Sequence, residues 1–223
     1  MTARGATGVL FDEPGAAPSR SPEPLAPGAV LLRGFALDFE KELRKALDRI
    51  VAAAPFRHMV TPGGYRMSVA MTNCGEFGWI TDRRGYRYDA LDPDSGTPWP
   101  KMPKVFLDLA DLAAFAAGYK GFVPDACLIN RYEPGARLSL HQDRNEKDFG
   151  APIVSASLGL PAIFLFGGDE RSDRPRRVPI RHGDVAVWGG PSRLAFHGIA
   201  PLKEGEHEGM GRQRINLTLR RAQ

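Results

Sequence analysis

The stretch LSLHQDRNE, residues 138–146, decides how the chain is read. Its first half has the composition of a β-strand, and successive side chains on a strand point to opposite faces. Alternation sets Leu138, Leu140 and Gln142 on one face and Ser139, His141 and Asp143 on the other. A histidine and a carboxylate two residues apart on one face are two metal-ligand types aimed together. The plainer reading is a surface strand with a polar outer side, and the rest of the chain has to choose between them.

Working outward, similar β-rich runs recur from residue 126 onward: ACLINRYE, PIVSASLG, AIFLFGG, RRVPIRHGDVAVWGG, RLAFHGIA and RINLTLR, separated by Gly, Pro or charged turns. Seven or eight short strands at this spacing imply a sandwich, barrel or jelly roll. Before them the pattern is helical. Leu37, Phe39, Leu43, Leu47, Ile50 and Val51 recur at amphipathic spacing, and KVFLDLADLAAFAAGY predicts a second helix over 104–119. Residues 60–100 read as a lobe of short strands and turns, punctuated by Gly and Pro. The expected fold is α+β, mainly β: a double-stranded β-helix (jelly-roll) core over 121–223, helical support and a lid over 29–120, and a flexible arm over 1–28, forming one globular unit.

The 223 residues can bury a substantial core without covalent staples. A net charge of +4 permits a polyanionic partner without demanding one. Cys74 and Cys127 are far apart and form no CxxC pair, which argues against a disulfide framework or a cysteine zinc site and fits a reducing compartment. The first 30 residues hold no apolar run long enough for a signal peptide or membrane span. The expectation is a cytoplasmic, monomeric protein with no membrane association.

A second HxD, His182–Gly183–Asp184, sits at a glycine turn where the two side chains need not face one way, and reads as turn chemistry. His197, at the end of the apolar run RLAFHG, could return to the same barrel mouth as His141. Two histidines and one carboxylate form a facial set that suits non-haem Fe(II) and leaves coordination positions open. In the last strand, Ile215, Leu217 and Leu219 share one face, and Arg214, Asn216, Thr218 and Arg220 the other. If the polar row lines an interior, two buried guanidiniums require an anionic guest. Six residues of strand rise about 20 Å at roughly 3.3 Å each, so side chains leaning inward leave a gap comparable with a small dicarboxylic acid. Asn130 and Tyr132 share a strand face and could add neutral hydrogen bonds. Iron with open positions and a dicarboxylate co-substrate together describe a 2-oxoglutarate-dependent oxygenase, with O₂ as the third reactant.

The chain also closely resembles the AlkB family of alkylation-repair dioxygenases, through MVTPGGYRMSVAMTNCGEFGW (59–79), DACLINRYEPGARLSLHQD (125–143), APIVSASLGLPAIFLFGG (151–168), HGDVAVWGGPSRLAFHGIAPL (182–202) and RINLTLR (214–220). The resemblance implies iron ligands at His141, Asp143 and His197. It implies a 2-oxoglutarate pocket of Asn130, Tyr132, Arg214, Asn216 and Arg220, with Arg214 at the distal carboxylate. Trp79, Tyr86, Arg87 and Tyr88 match the lid that holds a damaged base, and Arg171 a further contact beside it. One position departs from the bacterial pattern: Asn145 stands where that pattern has an acid close to the target base, and an amide cannot offset a cationic methylated base as a carboxylate does.

The implied activity is oxidative demethylation of N-alkylated bases, 1-methyladenine or 3-methylcytosine in type, in single- or double-stranded DNA and also RNA. A base must leave the duplex to reach a buried iron, and aromatic platforms then hold it. Arginines in DRRGYRY (82–88) and RSDRPRRVPIR (171–181) could form a phosphate-binding rim. Two other readings stay open at this stage. One is an oxygenase acting on RNA or a protein side chain. The other is a different class, either a non-catalytic nucleic-acid-binding barrel or a zinc hydrolase, and neither accounts for paired strand arginines.

Overall fold

The computed structural model describes residues 21–223. Two strands open it, β1 (Glu23–Ala26) and β2 (Ala29–Leu32), followed by a short 3₁₀ turn and helix α1 (Glu40–Ala53). Strands β3 (Ala70–Gly75), β4 (Gly78–Asp82) and β5 (Gly85–Asp89) precede helix α2 (Lys104–Ala116). The remainder is β: β6 (Ala126–Tyr132), β7 (Leu138–His141), β8 (Ile153–Gly159), β9 (Ala162–Phe166), β10 (Arg176–Ile180), β11 (Val185–Trp188), β12 (His197–Ile199) and β13 (Arg214–Arg220). They form a seven-stranded sheet in the order β1-β2-β11-β8-β13-β6-β3, a four-stranded sheet in the order β10-β9-β12-β7, and the separate hairpin β4-β5. Every pairing within these sheets is antiparallel, and the two larger sheets make the jelly roll.

Alternation in the large sheet sorts side chains between two cores. Cys127 and Ile129 of β6, Val154, Ala156 and Leu158 of β8, Val185 and Val187 of β11, and Ile215, Leu217 and Leu219 of β13 face α1 and α2. They meet the helical stripes Leu43, Ala46, Leu47, Ile50 and Phe106, Leu109, Ala110, Ala113, all buried. The intervening residues face the small sheet, where Leu128, Tyr132, Ala186 and Trp188 pack with Phe164, Phe166, Val178, Ile180 and Ile199. Helices therefore seal one face of the large sheet, leaving the other free to enclose a polar cavity.

Several expectations are corrected. Residues 21–28 are not a flexible arm: β1 pairs with β2, and Leu25 is buried in the inter-sheet core. The remainder of that expectation, residues 1–20, lies outside the described residues. A core beginning at residue 121 also fails, because β1, β2 and β3 supply three of the seven strands of the large sheet. The first helix starts at Glu40, after a 3₁₀ turn over Leu37–Phe39. The second stops at Ala116, since Gly118 takes φ 91°, a left-handed conformation that ends helices.

Leu217 is fully buried at the centre of the helix-facing row. Leu217→Ala should cost about 2–5 kcal/mol through lost transfer energy and the cavity left behind. Leu112→Ala, on the exposed side of α2, should stay within roughly 0.5 kcal/mol, and chemical denaturation of both variants measures the contrast.

Candidate active site

Between the two sheets lies a cavity of about 970 Å³, lined by both strand faces and by the mouth residues Trp79, Tyr86, Asn145 and Arg171. His141 ends β7, His197 begins β12, and the two are direct cross-strand partners with rings 4.4 Å apart. Asp143 follows two residues beyond the end of β7. One ligand atom from each of His141, Asp143 and His197 falls within 4.8 Å of the others. Strand alternation is only part of the cause. β7 carries a bulge: Ile199 and His197, two residues apart, pair with Leu138 and His141, three apart. Pairing with β12, together with the irregular segment after β7, brings the set together.

These residues fit a divalent metal on their donor chemistry. His141 Nδ1 lies 2.9 Å from the Ser139 carbonyl and His197 Nδ1 lies 3.0 Å from the Ala195 carbonyl. Donation of each Nδ1–H to these backbone acceptors leaves both Nε2 atoms as lone-pair donors. Those Nε2 atoms stand 3.7 and 3.6 Å from the two oxygens of Asp143. Ligand atoms sharing one ion at bonds of about 2.1 Å can be no more than about 4.2 Å apart, and His141 Nε2 and Asp143 Oδ1, at 3.7 Å, satisfy that limit. Burial and the neighbouring His197 press the His141 imidazole down to about 4, so it is neutral at pH 7. Burial alone would raise the Asp143 carboxyl, but Arg220 and the two histidines hold it well below the ordinary carboxylate range.

Above the triad, Asn130, Tyr132, Arg214 and Asn216 line the cavity, as the sequence pattern placed them. Arg214 is 1% exposed, yet only its Nη2 is satisfied, by Ser157 Oγ at 2.9 Å. Its Nε and Nη1 have no partner, and burial lowers the guanidinium from its ordinary value against only the opposing effect of Tyr132. The guanidinium lies 4.9 Å over the Tyr132 ring. A fully buried guanidinium with two idle donor nitrogens fits an anionic guest such as a carboxylate. Asn130 Oδ1 is likewise buried without a partner, whereas Asn216 is held by Ser155 Oγ, Ala156 O and Thr218 Oγ1.

Arg220 departs from the expected two-ended clamp. Its Nε and Nη2 reach Asp143 Oδ2 at 2.9 and 2.6 Å, and Nη1 points to Tyr88 Oη at 3.4 Å. The side chain lines the cavity but is already committed to a carboxylate of the protein, so Arg214 alone of the two keeps free donors.

The hairpin β4-β5 covers the mouth. Trp79 and Tyr86 stack at 5.7 Å with 22° between planes. The indole N–H, which can only donate, meets Asn145 Oδ1 at 3.2 Å, so that amide turns its carbonyl to Trp79. Arg171 donates to the Leu140 carbonyl and lies over Phe196. Two expected base contacts go elsewhere. Arg87 forms a two-pronged pair with Asp82 inside the hairpin at 3.0 and 2.9 Å. Tyr88 is not on the cavity wall; its hydroxyl donates to Glu146 at 2.6 Å. In the arginine loop, Arg176 is tied to the Pro24 and Leu25 carbonyls, while Arg174, Arg177 and Arg181 are exposed. His182 and Asp184 occupy a turn as expected, Asp184 capping Gly34 N and Arg181 N.

Glu146, Arg193, Ser155, Ser157 and Trp188 were missed. On strict strand alternation Glu146 would face away from Asp143, but the chain past residue 141 is irregular and buries Glu146 at 5% exposure. Ser155 and Ser157 carried a usable signal, since they break the apolar run of β8 at alternate positions.

The model of the 2OG-Fe(II) oxygenase superfamily matches residues 28–220. The chain is 59% identical over 200 residues to the alpha-ketoglutarate-dependent dioxygenase AlkB of Escherichia coli, covering 90% of this chain and 93% of that one. It is 36% identical over 136 residues to the mouse nucleic acid dioxygenase ALKBH1, covering 57% of this chain and 33% of the relative. The solved structure of OsALKBH1 superposes with a TM-score of 0.78 at 29% identity, over 90% of this chain and 99% of that one. Enzymes of this superfamily use Fe(II), 2-oxoglutarate and O₂, the groups that the donor set and the idle arginine fork fit. The chain belongs to the AlkB family of 2-oxoglutarate-dependent dioxygenases.

Proposed function

We propose that this dioxygenase demethylates N-alkylated bases, 1-methyladenine and 3-methylcytosine in type, in DNA and also in RNA, hydroxylating the N-methyl carbon so that formaldehyde departs and the base is restored. The observation that carries the reading is the stacked Trp79–Tyr86 pair at the mouth of the cavity holding the His–Asp–His triad. A flipped base is held by such aromatic faces with little sequence preference. The mouse relative's name, nucleic acid dioxygenase, supports a nucleic-acid substrate. The exposed Arg174, Arg177 and Arg181 suit a phosphate-contacting rim.

In this reading His141, Asp143 and His197 hold the metal, which when bound supplies oxidising chemistry from O₂ and 2-oxoglutarate. Arg214 receives the distal carboxylate of the co-substrate through donors that otherwise lie idle. Asn130 and Tyr132 border the same guest. Trp79, Tyr86 and Arg171 restrict the base at the mouth. Asn145 faces the base edge with an amide, so the chain lacks a second negative charge there to offset a cationic base. The site is assembled within a single chain, in keeping with a monomer, and no helix among the described residues is long and apolar enough to cross a membrane. A cytoplasmic location is part of the proposal.

Product mass spectrometry on alkylated single- and double-stranded oligomers should show loss of a methyl group with formaldehyde and succinate released, and His141→Ala should abolish both. Demethylation that survives thorough iron removal would overturn the reading. Arg214→Ala should raise the KM for 2-oxoglutarate at least tenfold while leaving oligonucleotide affinity within about twofold, as expected for a buried charge-assisted contact worth roughly 1.5–3 kcal/mol. The reverse pattern would reassign the residue.

The metal-free protein should also show a defined pH dependence. His141 is depressed to about 4 in the fold from an ordinary 6.5, so between those values the unfolded chain binds more protons. Its contribution to stability is present above the unfolded value and is lost as pH falls from about 6.5 towards 4. Denaturation midpoints of wild type and His141→Ala, compared at pH 7 and pH 5, should show a smaller acid loss in the variant.

A further inference from the structure

Among the described residues, the hairpin β4-β5 pairs with neither large sheet. A lone two-stranded hairpin is marginal in water, so its seat depends on its side chains: Ile80 is buried in the inter-sheet core, and hydrogen-bonded tethers fix its orientation. Asn73 holds β4, accepting from Trp79 N at 3.0 Å and donating to Trp79 O at 3.1 Å. On β5 the tether is Tyr88, the cross-strand partner of Trp79, whose hydroxyl runs into a buried charge cluster and donates to Glu146 Oε1 at 2.6 Å. Burial keeps that phenol well above its ordinary value, a proton donor at any working pH.

The cluster extends directly to a metal ligand. The Glu146 side chain is 1% exposed and stands 3.5 Å from Arg220 Nε and 3.3 Å from Arg193 Nη2. Both arginines also hold Asp143: Arg220 grips carboxylate Oδ2 at 2.6 Å, and Arg193 donates to its backbone carbonyl at 2.8 Å. Two guanidiniums and two carboxylates thus form a balanced buried set. Such a set is sustained only while each member keeps its partners, because an unpaired buried charge is costly.

We infer that Tyr88 and Glu146 are positioning residues that couple the seating of the base-covering hairpin to the Asp143 carboxylate. With the hairpin seated, the Tyr88 hydroxyl satisfies Glu146 Oε1, and Arg220 stays on Asp143 Oδ2 with Oδ1 left for the metal. With the hairpin lifted, Glu146 Oε1 loses its short donor, and Arg220 Nε, 3.5 Å from that same oxygen, is placed to replace it. Its shift would free Oδ2 and release the orientation of Asp143. Coupling of this kind is reciprocal, so metal at Asp143 must tighten the hairpin as the hairpin tightens metal. The inference rests on the triad being the metal site.

Mn(II), a redox-quiet probe, tests it without turnover or nucleic acid. In wild type, Mn(II) should bind and slow backbone hydrogen exchange across residues 78–89. Tyr88→Phe keeps the ring and removes only the hydroxyl. It should weaken Mn(II) about tenfold, at the low end for partners of metal ligands, and abolish the Mn(II)-dependent protection of 78–89, with exchange in 126–132 unchanged. Glu146→Gln still accepts from Tyr88 but no longer balances the arginines. It should weaken Mn(II) while leaving metal-free protection of the hairpin intact. Unchanged Mn(II) affinity in both variants overturns the coupling, whether they show a lower melting temperature or a raised KM for methylated oligomer. If Tyr88→Phe does not fold, wild-type exchange decides: hairpin protection that does not respond to bound Mn(II) overturns the coupling. Failure of wild type to bind Mn(II) at all refutes the metal site itself, a separate and distinguishable result.

Discussion

The 2.6 Å contact between Arg220 and Asp143 is the constraint around which the interior is arranged. A carboxylate between two sheets would ordinarily take a proton, since burial penalises its charge. Arg220 prevents this, and the protein must then bury a guanidinium as well. The helix-facing cores make that tolerable. By filling one face of the large sheet with Leu, Ile, Val and Ala, they free the opposite face of β13 to carry Arg214, Asn216, Thr218 and Arg220 together.

Much of this was legible in the residues, for a physical reason: a strand buried on both faces still alternates when one face is polar. RINLTLR declared its two sides, and the observed core keeps Ile215, Leu217 and Leu219 together while the cavity takes the rest. LINRY showed the same for Asn130 and Tyr132. What alternation could not supply was partnership across the sheets. His141 and His197 are paired by β7 and β12, 56 residues apart in sequence and shifted by a bulge, and no local period encodes that. Glu146 and Arg193 were invisible for a related reason, lying in irregular segments where side-chain direction follows no period.

The lid was legible in composition and misread in detail. Trp79 together with the aromatics and arginine of GYRY suggested four contacts to a base, but a two-stranded hairpin has two faces and must stabilise itself. Arg87 turns to Asp82 within the hairpin, and Tyr88 anchors it to the interior. Tyr86 alone of the four-residue run stacks with Trp79 at the open mouth, 47% exposed. Half of an apparent recognition motif is therefore the means by which the other half is held in place.

Arg214 and Arg220 sit on one strand, six residues apart, on one face, both almost wholly buried. Identical in chemistry, they differ in what surrounds them. Arg220 meets two carboxylates and is raised above its ordinary value by them despite burial. Arg214 meets a hydroxyl and an aromatic face, keeps two idle donors, and is lowered. A cation left short of acceptors at full burial destabilises the fold unless something anionic arrives to complete it. The difference separates the arginine that serves the protein's own charge from the one that waits for a guest.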